Sequence, residues 1–401
     1  MKLVQLNTKW SLCLLGFCCF SLHLFGQSKR AMRERAMAKP EVALVGERLK
    51  KDWVKLTKAR LGLYYRQRTL THNGVTMPLW WVTYGEKPAD GYSLFISLHG
   101  GGGTTQETNN QQWENQKYLY RPQQAVYVAP RAPWNLWDMW CHEGIDPLYE
   151  QLIQMCVAFE GVNPDKVYLM GYSAGGDGVW RMAPRMADSW AAASMMAGHP
   201  GDVSLLNLRN TPFMIWCGEH DAAYNRNTLA AQRGLQMDSL QQHDPMGYVH
   251  QTHIIKGAGH WMNRVDSAAM PWMTKFRRNP YPKKIVWQQA EVVKPYFYWL
   301  GVPPAELAPG KMLRAYIQGN CVHITQCDYT TLTLYLNDEL VDLDKFVTVK
   351  YGKRVLFKGR LKRKESTMRQ TLFERNDWSY MFPTSVTVTV KPKKANLKSK
   401  E

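Results

Sequence analysis

Between Val75 and Arg278, short apolar runs alternate with longer stretches in which apolar residues recur every three or four positions. The runs MPLWWVTY, YSLFISLHG, AVYVAP, KVYLMGYS, AAASMMAG, PFMIWCG and HQTHIIKGAGH are rich in β-branched and aromatic residues. Most of them end at Gly, Pro or His, which marks them as strands. Between them, DPLYEQLIQMCVAFEG (residues 146–161) repeats Leu148, Leu152, Cys156 and Phe159 at helical spacing. Strands alternating with helices predict an α/β domain over residues 40–280, a doubly wound, mostly parallel sheet covered on both faces. Such sheets place their chemistry where the strands end at their carboxyl side.

After Pro280 the texture changes. A proline-punctuated stretch leads into RAYIQGNCVHIT, TLTLYLN, FVTVKYGKRVLFKGRL and SVTVTVKP, which alternate apolar with polar and carry a turn signal at Tyr351-Gly352. These predict a small all-β, sandwich-like C-terminal module over residues 281–395. No internal repeat is visible.

Composition supports a folded chain: 401 residues, 45% hydrophobic, with 16 Trp and 20 Tyr, can build one large domain and a small one. The net charge of +18 is uneven, with sixteen Lys/Arg against five Asp/Glu from Asp344 to the end. A solvated, solubilising face is the plain reading of that surplus, and contact with an anionic surface or acidic polysaccharide is the alternative. No nucleic-acid motif accompanies it.

Lys2 and Lys9 precede the apolar run SLCLLGFCCFSLHLFG, and a polar, basic segment follows it. Residues 1–26 therefore read as a secretory signal peptide cleaved after Gly26, and the protein as exported, whether periplasmic, secreted or at the cell surface. The run is short of the roughly 20 apolar residues a membrane span needs, so no stable span is expected after cleavage. Cys141, Cys156, Cys217, Cys321 and Cys327 remain, at no metal-ligand spacing, so no metal site and no cofactor is expected. Cys321 and Cys327 read as flanking a short turn, which would let them form a disulfide after export; Cys217, in an apolar run, reads as a buried thiol.

The chemistry gathers at strand ends. In KVYLMGYSAGGDGVW a strand runs into Gly171, Ser173 and Gly175 and then into helix, the context a nucleophile elbow requires. G-x-S-x-G alone arises by chance in on the order of one chain in ten of this length. A serine hydroxyl also needs a base held by an acid. Asp221 follows PFMIWCGEH and His260 follows IIKGAG, so both emerge from strand ends on the rim that holds Ser173, in the chain order Ser, Asp, His. Glu219 is the nearest substitute acid, whereas His250 and His253 would project from a strand itself. Finally, LFISLHGGGGTT ends a strand in glycines. The amides of Gly100, Gly101 and Gly102, with that of Ala174, are candidate donors to an oxyanion. A phosphate cradle would need a following G-K-[ST] or G-x-G-x-x-G, and neither is present.

Taken together, the HGGGG loop and the GYSAGG, GEHD and GxGHW segments resemble the α/β-hydrolase family over roughly residues 60–280. Within it they resemble the esterase group that contains polyhydroxybutyrate depolymerases and the feruloyl and acetylxylan esterases. The resemblance implies a cofactor-free serine ester hydrolase working through an acyl-enzyme, with Ser173, Asp221 and His260 as its triad and Gly100 to Gly102 as oxyanion donors. It says nothing of the C-terminal module.

Only HPGDVSLLNLRN separates AAASMMAG from PFMIWCG, leaving no room for a cap before the acid-bearing strand, so an open site suited to bulky or polymeric esters, possibly polysaccharide-linked, is expected. The loop after AVYVAPRAP holds Trp134, Trp137, Trp140 and His142, which would sit on the rim and stack on sugar or aromatic rings, or else close the end of the sheet. Two other readings stay open: a serine peptidase of the prolyl-oligopeptidase type, though no propeller repeat precedes the domain, and a non-catalytic surface-binding protein on a hydrolase scaffold.

Overall fold

A computed structural model describes residues 34–390; the apolar segment read as a signal peptide and the lysine-rich last residues lie outside them. The larger sheet has eight strands: β1 (Thr69–His72), β2 (Val75–Tyr84), β3 (Tyr92–Leu98), β4 (Ala125–Pro130), β5 (Val162–Tyr172), β6 (Ala192–Met196), β7 (Phe213–Gly218) and β8 (His250–Ile255). Their spatial order is β1-β2-β4-β3-β5-β6-β7-β8. β1 and β2 form a hairpin turned by Asn73 and Gly74, both at positive φ, and β2 runs antiparallel to β4. From β4 to β8 every pairing is parallel. With helices on both faces, this is the α/β-hydrolase arrangement.

Among the described residues seven α-helices accompany the strands: α1 (Lys39–Gln67), α2 (Gln106–Leu119), α3 (Asp146–Met155), α4 (Ala174–Arg185), α5 (Arg226–His243), α6 (Ala269–Met273) and α7 (Glu365–Arg375). The central strands are buried on both faces, so alternate residues serve two cores. Leu94, Ile96 and Leu98 of β3 join one core with residues of α1, α3, α4 and α5, while Phe95 faces the other, which α2 and α6 cover. Helix α1 begins with Pro40 in its first turn and buries Leu49, Trp53, Thr57 and Leu61, one residue per turn. Each of its buried leucines contributes about 1.5–3 kcal/mol.

Nine further strands among the described residues build two sheets. The five-stranded one has the order β16-β15-β13-β12-β9 and comprises β9 (Lys284–Gln288), β12 (Met312–Gln318), β13 (Cys321–Cys327), β15 (Val347–Tyr351) and β16 (Arg354–Gly359). The other, β10-β11-β14-β17, comprises β10 (Tyr296–Phe297), β11 (Leu300–Gly301), β14 (Thr331–Leu336) and β17 (Thr384–Thr389). All their pairings are antiparallel except β13 with β15. Their inner faces share a core that includes Ile285, Leu313, Ile324, Leu334 and Val388.

One expectation fails here for a geometric reason. Cys321 and Cys327 do not flank a turn but are the first and last residues of β13. At the rise of a strand their Cα atoms lie about 20 Å apart, beyond the ~7 Å limit for a disulfide, and both are free thiols. Helix α7, which the alternating pattern did not disclose, packs Met368 and Leu372 into the core shared with α1. Buried Arg278 ties the two parts further, pairing with Asp165 and Asp377 at 2.6 Å each and donating to the Asp188 carbonyl. Among the described residues no helix is long and apolar enough to cross a membrane.

Candidate active site

β5 delivers Ser173 into a turn with φ 58° and ψ −122°, a conformation that L-residues rarely adopt, and α4 starts at the next residue. The turn is tight because its neighbours lack side chains. A Cβ on Gly175 would collide with the Leu98 carbonyl, and one on Gly171 with the backbone of Gly175. Strand, sharp turn and helix follow as the sequence predicts.

Two other strand ends bring up the partners. Asp221, three residues beyond β7, is 2% exposed, and His260 lies in the loop after β8. His260 Nε2 stands 3.0 Å from Ser173 Oγ, and its Nδ1 stands 2.9 Å from Asp221 Oδ2. A carboxylate accepts, so Nδ1–H donates to Asp221 and Nε2 is left to accept the Ser173 hydroxyl. The Arg226 guanidinium lies 3.8 Å from Asp221 Oδ1, and the Cys217 thiol, pushed by burial up to about 12, lies 3.9 Å from Oδ2. Glu219 is engaged elsewhere, accepting the Gly257 amide at 2.8 Å, and His253 stacks on Trp216.

The glycine loop reads differently residue by residue. Gly101 and Gly102 have φ of 106° and 102°. Gly102, however, donates its amide to Asn109 Oδ1 at 3.0 Å, while Asn109 Nδ2 returns a bond to the Gly102 carbonyl. Its amide is therefore occupied and drops out as an oxyanion donor. No acceptor among the described residues takes the amides of Gly101 or Ala174. Gly100 comes so close to the elbow that an added Cβ would stand 3.2 Å from Ser173 Cβ. His99, just before, is fully buried: the Ala132 amide donates to its Nε2 at 3.1 Å, so Nδ1–H donates to the Gly100 carbonyl at 2.6 Å. Burial holds its imidazole down to about 3.

The aromatic loop splits as well. Trp137 is exposed; its indole covers the backbone of Gly102 and Gly103 and meets Tyr224 edge-on at 6.0 Å. Half-buried Trp134 packs on His142 at 4.3 Å, and neither lines the cavity at Ser173. Trp140 is not on the rim at all. It is 1% exposed, donates from Nε1 to the His99 carbonyl at 2.9 Å, and sits under Gly178, because the loop dips inward to seal the sheet end.

The cavity beside Ser173 has a volume of about 510 Å³ and is lined by Gly100, Gly101, Thr104, Thr108, Gln112, Asn115, His260 and Trp261, among others. Trp261 is about half exposed and packs on Tyr172 at 5.6 Å. Sequence reasoning missed two residues. Tyr172 donates its hydroxyl to the His260 carbonyl at 2.6 Å and accepts the Met262 amide at 3.1 Å, fastening the histidine loop to the elbow. Its position beside Ser173 was the only signal. Asn109 gave none, lying in a polar helix. Among the described residues no group of three His, Cys, Asp or Glu side chains is placed to hold a metal ion.

No family model matches the chain, and no curated protein matches it either. Solved structures similar to it include a thermostable esterase, with 17% identity over 52% of this chain and 62% of that one and a TM-score of 0.43. An acetyl xylan esterase from Aspergillus awamori shows 14% identity, with 51% and 98% of the two chains covered and a TM-score of 0.38. A ferulic acid esterase shows 15% identity, 52% and 96% coverage and a TM-score of 0.35.

Proposed function

We propose that this protein is an exported serine hydrolase of carboxylic esters borne by polysaccharides or other polymers. The observation that carries the reading is the unbroken relay from Ser173 Oγ through His260 to buried Asp221, with both contacts at or below 3.0 Å. In this mechanism His260 Nε2 takes the Ser173 proton as Oγ attacks the ester carbonyl, and Asp221 holds the imidazole and balances its charge. The tetrahedral oxyanion is met by the amides of Gly101 and Ala174, each worth about 3–4 kcal/mol in the transition state. His260 then protonates the leaving alcohol, and water, activated by the same imidazole, releases the acid and regenerates the serine.

A hydroxyl-rich substrate is supported by Thr104, Thr108, Gln112 and Asn115, which offer donors and acceptors along one part of a cavity otherwise walled by apolar surface such as Leu119, Tyr172 and Trp261. Exposed Trp261 and Trp137 offer flat faces for sugar rings. Catalysis lies within residues 40–280, with residues 281–395 as an accessory region and residues 1–26 directing export.

A substrate panel tests this reading. Wild type should hydrolyse p-nitrophenyl acetate and acetylated or feruloylated xylan, and a fluorophosphonate should label Ser173. Ser173→Ala should lose at least about 10⁴-fold in kcat while keeping its far-ultraviolet spectrum and Tm. Faster cleavage of prolyl peptides than of esters, or an unlabelled serine in folded protein, would overturn it.

A further inference from the structure

The five-stranded sheet carries a feature that the Ser173 site does not use. Alternation along β12, β13 and β15 buries Leu313, Ala315, Val322 and Val349 and turns Arg314, Tyr316, His323, Thr325 and Lys350 to the opposite face. Register aligns Lys284, Tyr316, His323 and Lys350 as one row across four neighbouring strands. At strand spacing that row is about 14 Å long. The Tyr316 and His323 rings stack within it, 4.6 Å apart and 6° from parallel.

Beside the row lies a groove of about 670 Å³, lined by Arg314, Tyr316 and Thr325, by Lys283 and Lys284 at the start of neighbouring β9, and, across from them, by Leu240 and His243 of α5. Tyr316 lines the groove and His323 does not, so one tyrosine face is open to an occupant and the imidazole supports the other. The charge is lopsided. The carboxylate lining the groove, Asp244, already holds Arg209 through both oxygens and Lys284 at 2.8 Å. No carboxylate among the described residues pairs with Arg314 or Lys350.

We infer that this sheet face is a binding site for an acidic polysaccharide, a chain of carboxylate-bearing sugars. Arg314 and Lys350 would take the carboxylates, Lys284 being paired with Asp244 and Lys283 held by the Glu339 and Leu340 carbonyls, and the open face of Tyr316 would stack on the apolar C–H face of one ring. A single-stranded nucleic acid fits less well, because successive bases call for successive aromatic faces, and of the two tyrosines lining the groove Tyr248 is buried, which leaves Tyr316. The site does not depend on the chemistry assigned to Ser173.

The test is fluorescence anisotropy of labelled oligogalacturonate with the full chain at low salt, beside labelled cello-oligosaccharide and a single-stranded oligonucleotide of equal charge. Wild type should bind the oligogalacturonate most tightly and the neutral sugar not at all. R314E/K350E should weaken binding about tenfold or more, a loss of about 1.4 kcal/mol or more. Tyr316→Ala should weaken it several-fold, with Tyr316→Phe retaining it. K51E/K55E, the same charge change on exposed positions of α1, should stay within twofold of wild type. All four variants should hydrolyse p-nitrophenyl acetate like wild type. Absent wild-type binding, an equal loss in K51E/K55E, unchanged binding in R314E/K350E, or tighter binding of the oligonucleotide would each overturn the site. Loss of ester hydrolysis by wild type with this binding intact would sink only the proposal about Ser173.

Discussion

The two sheet regions use their strands in opposite ways. In the eight-stranded sheet β4, β6 and β7 are buried at every position, so a side chain within such a strand cannot meet a solute. Ser173, Asp221 and His260 all lie just past strand ends, where the backbone leaves the sheet and side chains regain freedom. In the five-stranded sheet β12 alternates buried with half-exposed and exposed positions, so a whole face is available along the strands. A doubly covered sheet concentrates chemistry at points. A singly covered one spreads recognition over a surface.

That contrast can be broken most sharply at the strand ends. Asp221→Asn should lower kcat for p-nitrophenyl acetate by about 10⁴-fold, because the amide favours the wrong imidazole tautomer, with the fold preserved. A loss under tenfold would mean that His260 does not depend on the end of β7 for its orientation. The next largest effect concerns whether the two regions are energetically separate. Arg278→Met leaves Asp165 and Asp377 without their buried cation and should cost about 3–5 kcal/mol, read as a lower urea midpoint in a single transition. Two separate transitions in wild type would show the regions to be independent.

Acid stability sharpens the comparison further. His99 titrates near 6.5 when unfolded but is held down to about 3 when folded, so in that interval the unfolded chain binds the extra proton. Its contribution, up to roughly 5 kcal/mol, is present above pH 6.5 and is lost as pH falls toward 3. Asp177 runs the other way. Burial raises its carboxyl to about 6, so its contribution is present below about pH 4 and fades as pH rises through 6. His99→Gln should therefore flatten the acid limb of a pH–stability curve between 6 and 4, and an unchanged slope would count against a neutral buried imidazole. The smallest effect belongs to the clamp at the elbow. Tyr172→Phe removes the donor to His260 and the acceptor for Met262, about 1 kcal/mol of positioning, and should lower kcat several-fold with KM nearly unchanged.

Much of this was legible along the chain. The strands of the main sheet stand out because buried parallel strands read as continuous apolar runs, and the helix over residues 146–155 because its apolar positions repeat at helical spacing. α7 did not stand out. It turns only a narrow stripe inward, Met368, Thr371 and Leu372, in an otherwise polar segment. The chain order of Ser173, Asp221 and His260 was readable because each follows its own strand.

The sequence by itself determined which segments become strands, where the elbow falls and which three side chains can meet, since these follow from local periodicity, steric room at glycines and chain order. Tertiary packing alone decided that Asn109 occupies the Gly102 amide, that Trp140 lies beneath the site while Trp261 faces it, and that Cys321 and Cys327 end up a strand apart. It also decided that Arg278 is enclosed by carboxylates from distant segments. Each of those outcomes depends on which groups compete for the same atom or the same space across tens to hundreds of residues, and no local pattern encodes that competition.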